Sequence, residues 1–275
     1  MRLLCNTTDY AQTIEIAKGL SGTYDGDVTF HSFWNGVFSE KHYMSIRSCY
    51  HFNVSGRTNR KIIVWVEKNI PNEWNDRISK YADIRVFNYT EERKDTPMSD
   101  VNKFNPSPSF YSDVVRYTLL YKYGGCWFDL DVFFLRSFDP LFVHYSNDIL
   151  VYTWENQSYP NGAIYISLIP RSEKMKLNIE FIRNRGRGWG FQEADLTFNL
   201  PLEMLVLPCS WFDPAWISNP YEITLAEFFD NSGRTISLKR FFSGAFCYHW
   251  HNKWNQPIHD SSIGRQLYTQ LEEQE

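Results

Sequence analysis

The chain has 275 residues and carries 28 Lys and Arg against 32 Asp and Glu, a net charge of −4. Phosphate binding needs a basic surface, so this balance argues against nucleic acid as a partner. Mean hydropathy is −0.44, no run approaches the ~20 apolar residues of a membrane span, and the charged fraction is too modest for disorder; a soluble globular protein is expected.

Thr8 to Leu20 predicts a helix with Tyr10, Ile14 and Ala17 on one face. Val28 to Trp34 predicts a strand stopped by Asn35-Gly36. Ser39 to Phe52 predicts a helix with Ser39 as N-cap. The β-branched run Lys61 to Val66 predicts a buried strand, Pro71 opens a helix to about Tyr81, and Ile84 to Phe87 forms another strand. Glu91 to Pro108 is polar with three prolines, which predicts a long functional loop. Ser109 to Tyr123 predicts a helix ended by Gly124-Gly125, followed by a strand over Cys126 to Val132. Two more strands are expected at Ile149–Trp154 and Ala163–Ser167, a helix at Ser172–Arg183, and a helix beginning near Ala194. The C-terminal third reads as mixed.

Strands alternate with helices, so the fold class is α/β with a mainly parallel sheet. Without repeats or linkers, residues 1–275 form one expected domain, with halves at 1–135 and 136–275. The five cysteines lack CxxC spacing and are expected as buried free thiols. Met1 to Asn6 is too short an apolar stretch for a signal peptide. The location expected is therefore cytoplasmic, or lumenal if an anchor has been trimmed. The Asn-x-Ser/Thr sites at Asn6, Asn53, Asn88 and Asn156 then count as chance matches.

Chemistry concentrates between Ser112 and Asp131. Asp113 and Arg116 are three apart and share a helix face. Asp129 and Asp131 are two apart on the expected strand, so both point to one side. Two same-side carboxylates ending an apolar strand are costly unless a cation neutralises them, and Mg²⁺ or Mn²⁺ is the natural partner. Ligands of open α/β sheets bind at the carboxyl ends of strands, where this pair falls.

Ser-Asp-x-x-Arg-Tyr, a helix, Gly-Gly and then aromatic-Asp-x-Asp resembles the DXD-containing sugar-nucleotide glycosyltransferases of the GT-A fold, in particular glycosyltransferase family 32. That group includes bacterial and viral members. His31-Ser32-Phe33-Trp34-Asn35-Gly36 and His249-x-x-Asn252-Lys253 resemble the family's first-strand and C-terminal segments. The resemblance implies transfer of a sugar, UDP-linked by preference, from a nucleotide diphosphate to a glycan, glycolipid or glycoprotein hydroxyl.

It implies Asp131 as direct metal ligand, Asp129 on metal or donor ribose, and His249 as third ligand, with His251 able to substitute. The metal would be Mn²⁺ or Mg²⁺. Asn252 and Lys253 would hold the diphosphate, Asp113 and Arg116 the donor sugar, and Trp34 the base. His31 falls in the donor segment, Trp127 or Phe128 would line the nucleotide pocket, and Asn161 would lie near the donor sugar. Candidate acid/base carboxylates are Glu155, Glu193 and Asp195; the last serves equally as a helix N-cap. Two other readings compete. Phosphatases of the haloacid dehalogenase type also use Asp-x-Asp, but near the N-terminus and with Gly-Thr or Thr-Val following, where this chain has Val132-Phe133. A non-catalytic carbohydrate binder would not need the acidic pair.

Overall fold

Val28–Trp34 and Arg60–Val66 are buried at nearly every position, as strands covered on both faces must be. The computed structural model describes residues 2–3, 9–101, 108–154, 160–185, 204–217 and 223–274. Its strands are β1 (Arg2–Leu3), β2 (Val28–Trp34), β3 (Arg60–Val66), β4 (Asp83–Val86), β5 (Gly125–Phe128), β6 (Val132–Phe134), β7 (Ile149–Tyr152), β8 (Asn161–Ser167), β9 (Met204–Leu207) and β10 (Cys247–His249). Its helices are α1 (Tyr10–Gly19), α2 (Glu40–Cys49), α3 (Glu73–Ile78), α4 (Tyr89–Arg93), α5 (Pro108–Tyr123), α6 (Asp139–Tyr145), α7 (Glu173–Arg185) and α8 (Ile263–Glu272).

Eight strands form one sheet in the order β1-β9-β7-β8-β5-β2-β3-β4. Only β8 runs antiparallel to its neighbours, β5 and β7. The sheet is therefore mainly parallel, as expected. It also interleaves the two expected halves, since β5 pairs with β8.

Strand alternation feeds two apolar layers. Phe30, Ile62, Val64 and Phe128 face a core shared with α1, α2 and α8. Ile63, Trp65, Trp127 and Tyr165 face a second core shared with α5 and α7. Capping fixes helix starts: the Asp9 carboxylate accepts from the Gln12 N–H at 2.7 Å, and Ser39 precedes α2 as the sequence suggests. Beyond Cys49 the helix widens over Tyr50–Val54, closed by the Ser55 N–H on the Tyr50 carbonyl at 2.8 Å.

Several expectations need correction. The strand over Cys126–Val132 does not run through. β5 ends at Phe128, opposite Ile164 of β8, and Asp129–Asp131 form a turn closed by the Val132 N–H on the Asp129 carbonyl. β6 then leaves for a separate antiparallel ribbon with β10, in register Val132↔His249. The expected loop from Glu91 begins inside α4, which Asn88 caps by accepting the Thr90 and Glu91 N–H groups. β9, α6 and α8 come from sequence without an assigned element. α8 is capped by Ser262 and buries Ile263, Leu267 and Leu271 at helical spacing. The helix expected near Ala194 lies outside the described residues. Cys49, Cys126 and Cys247 are buried free thiols and Cys209 is half-buried. No described helix is long and apolar enough to cross a membrane.

Candidate active site

A cavity of about 740 Å³ opens beyond the carboxyl ends of β2 and β5. The N-terminal turns of α5, the Asp129–Asp131 turn, the start of β8 and the segment after β10 line it. Both acidic residues reach it because the chain turns at the end of β5, not through strand alternation.

Each carboxylate is held by one oxygen. Asp129 Oδ1 accepts from the Trp127 indole N–H at 2.7 Å and from Arg116 at 3.3 Å. Asp131 Oδ2 accepts from the Asn252 backbone N–H at 2.7 Å and lies 3.2 Å from His249 Nε2. The Trp250 N–H also donates to the Asp131 carbonyl at 2.9 Å, so the ribbon clamps the turn twice. The other oxygens, Asp129 Oδ2 and Asp131 Oδ1, have no hydrogen bond among the described residues.

Electrostatics separate the pair. Burial raises the Asp129 carboxyl above the ordinary range against the pull of Arg116, and the neighbouring Asp131 charge adds to the rise. Burial would also raise Asp131, but His249 and the Asn252 N–H outweigh it and hold it low. Burial opposes protonation of His249, yet Asp131 and Asp213 raise its imidazole to about 10. Arg116 is buried, bonds Asp113 and Asp129, and lies 5.0 Å over the Trp127 ring.

The cavity thus gathers Trp34, Asp113, Arg116, Asp129, Asp131, Asn161, His249, His251 and Asn252. Trp34 packs on Trp254 and His42, with ring centroids 4.8 and 4.2 Å apart. Three expected donor contacts fall elsewhere. His31 is buried inside the second core, where the Trp65 indole N–H donates to Nδ1 and Nε2 reaches the Gly124 carbonyl, both at 3.2 Å. Trp127 is fully buried and touches the site through Asp129 rather than lining it; Phe128 is buried on the opposite side of the sheet. The Lys253 side chain is not part of the lining, and its carbonyl accepts from Lys41. Glu155, Glu193 and Asp195 lie outside the described residues.

One residue went unforeseen. Asp213 follows β9 and is fully buried. It accepts from His251 Nε2 at 2.8 Å and from the Trp154 indole at 2.8 Å, and lies 3.6 Å from His249 Nδ1. Asp213, His249 and His251 bring ligand atoms within 4.8 Å of one another, a second possible donor group sharing His249 with the acidic pair. The sequence marks it only by Phe212-Asp213-Pro214, a tripeptide that also occurs at Phe138-Asp139-Pro140.

Residues 39–148 match the family model described as the glycosyltransferase sugar-binding region containing the DXD motif. Over those residues the chain is similar to that family, and its fold is of the GT-A type. It is 32% identical over 109 residues to inositol phosphoceramide mannosyltransferase 3 of Schizosaccharomyces pombe, a match spanning 36% of this chain and 29% of that relative. Among solved structures, the bifunctional glycosyltransferase WbbM is similar with a TM-score of 0.56 at 9% identity, over 92% of this chain and 50% of that one. The apo form of GlyE from Streptococcus pneumoniae gives 0.52 at 14% identity, over 89% and 60%. These two likenesses speak to the fold.

Proposed function

We propose that this chain is a divalent-metal-dependent glycosyltransferase acting on a nucleoside diphosphate sugar, with a hydroxyl of a glycan, glycolipid or glycoprotein as acceptor. The observation that carries the reading is the Asp129–Asp131 turn clamped beside His249 in the cavity at the end of β5. Three carboxylates of the lining, Asp113, Asp129 and Asp131, meet one guanidinium, Arg116. A diphosphate would be repelled from such a surface, so the site suits it only together with a cation.

The donor set fits one. Asp129, Asp131 and His249 offer oxygen and imidazole ligands, the mixture that Mn²⁺ accepts, and each carboxylate keeps one oxygen without a hydrogen bond. A bound divalent cation would supply charge stabilisation to the departing diphosphate. The rest falls to the chain. Trp127 and Arg116 fix the Asp129 rotamer, and Asn252 fixes that of Asp131. Asp113 and Arg116 face the donor sugar with acceptor and forked donors. Trp34, backed by Trp254, offers its ring to the base. UDP-sugars are the preferred donors, and the mannosyltransferase relative makes GDP-mannose the second to test.

Thermal melts with UDP and GDP, each with and without Mn²⁺, test this together with a hydrolysis screen over UDP- and GDP-sugars. Stabilisation by a nucleoside diphosphate only in the presence of metal, with release of sugar from one donor, supports the reading. Absence of both sinks it.

A further inference from the structure

Trp216 is a large aromatic side chain that the donor site does not use. It is 43% exposed, although it packs against residues of the cavity wall. Its ring stacks on Trp154 at 4.9 Å and 21° and on His251 at 4.7 Å and 26°. His251 in turn stacks on His249 at 4.0 Å. Trp154 and His251 both line the cavity, so Trp216 extends its wall outwards at the rim.

The wall is rigidly built. Trp154 donates its indole N–H to the buried Asp213 carboxylate, which also holds His251. The Trp216 N–H closes a turn onto the Asp213 carbonyl at 3.1 Å. The Asp213 carboxylate thus holds two of the rings, and its carbonyl holds the backbone of the third. The stack holds a partly exposed indole beside the cavity.

We infer that the Trp216–Trp154 face is the acceptor subsite and that its occupant is a neutral pyranose ring; the inference rests on the glycosyltransferase reading of the cavity. Indole faces are electron-rich, and the C–H bonds on one face of a pyranose are electron-poor, so the two stack. The Trp154 N–H is already spent on Asp213, which leaves a face and not a donor for the ligand. Arg116 is the one Lys or Arg side chain in the described lining, and Asp113 and Asp129 hold it. Among the described lining residues no Lys or Arg is thus left to hold an anionic group on this wall, and His249 is engaged by Asp131 and Asp213. Through His251 and His249 the wall also abuts Asp131, so a sugar stacked here lies beside the proposed donor site.

Saturation-transfer NMR with methyl α-mannopyranoside, methyl β-galactopyranoside and methyl β-glucopyranoside tests the subsite without any turnover. The intact chain should transfer saturation to the ring protons of at least one of them. Trp216→Ala should reduce that transfer at least about 5-fold, and Trp216→Phe should keep most of it; thermal melts check that both variants fold. No transfer to any pyranoside, or equal transfer in Trp216→Ala, overturns the inference. Hydrolysis of nucleotide sugars by the unaltered chain reads the transferase assignment separately, so the two failures are distinguishable.

Discussion

Asn252 donates its backbone N–H to Asp131 Oδ2 at 2.7 Å from a residue in the left-handed region, with φ 55°. His251 before it is also left-handed, with φ 50°. Two consecutive non-glycine residues in that region cost about 1–3 kcal/mol each, a strain that persists only where the surroundings over-determine it. Here the surroundings are the His251–Asp213 bond and the clamp on Asp131. Asp131→Asn keeps the oxygen that meets Asn252 and removes the charge. Metal-dependent donor hydrolysis should fall at least about 100-fold, more than the usual loss when a residue supporting a metal ligand is removed. Mn²⁺ titration followed by electron paramagnetic resonance should show weaker binding while the circular dichroism spectrum is kept. Full activity would remove Asp131 from the site.

Arg116 is the second test. It bridges Asp113 and Asp129 and lies over Trp127 while 3% exposed. Lysine has no planar fork to serve both acids and the ring at once. Arg116→Lys should cost about 3 kcal/mol of stability in urea unfolding, the low end for disturbing a buried pair. It should also raise the donor KM more than it lowers kcat. An unfolding midpoint matching the parent would show that the bridge is not structural.

Much of this site was legible because its residues cluster in sequence. Asp113 to Asp131 spans one helix, one glycine turn and one strand, and local spacing places them together. The acidic pair reached the cavity by a different route, since spacing alone does not show where β5 loses its pairing with β8. His31 was misplaced for a reason the strand itself contains. Period-two alternation puts His31 with Phe33 on one face and Trp34 with Phe30 on the other. Asp213 was out of reach because β9 is a four-residue apolar run, too short to tell from any buried segment, and its partners are far away in sequence.

Gly125 carries the turn from α5 into β5 at φ 109°, and a Cβ there would stand 2.2 Å from the Thr29 carbonyl of β2. Backbone cannot yield as a flexible side chain can. Gly125→Ala should therefore separate β5 from β2 and cost more than about 3 kcal/mol, combining left-handed strain with the steric clash. Gly56 also has positive φ, at 74°, but nothing lies within 4 Å of its Cβ position. Gly56→Ala should cost only about 1–2 kcal/mol, the strain alone. Melting temperatures of the two variants make the comparison, and equal losses would refute the steric account.

Acid should unfold this protein before its carboxylates titrate. Burial lowers His31 from 6.5 to about 3, against the pull of the Gly124 carbonyl, and lowers His42 to about 3. Both are neutral when folded: Trp65 donates to His31 Nδ1, and the Ser39 N–H donates to His42 Nδ1 at 2.9 Å. Below pH 6.5 the unfolded chain binds protons that the folded chain refuses. The contribution of these two histidines is thus full above 6.5 and falls as pH drops towards 3, by about 1.4 kcal/mol per pH unit for each. His249, raised to about 10, stays protonated in the folded chain while its unfolded form titrates near 6.5, so it adds some stability between pH 7 and 6 and little slope below that. Urea unfolding at pH 7.0, 6.0 and 5.0 should show the decline, and His31→Gln, which cannot take up the extra proton, should remove about half of it. A variant slope equal to the parent's would mean that His31 is protonated in the folded chain.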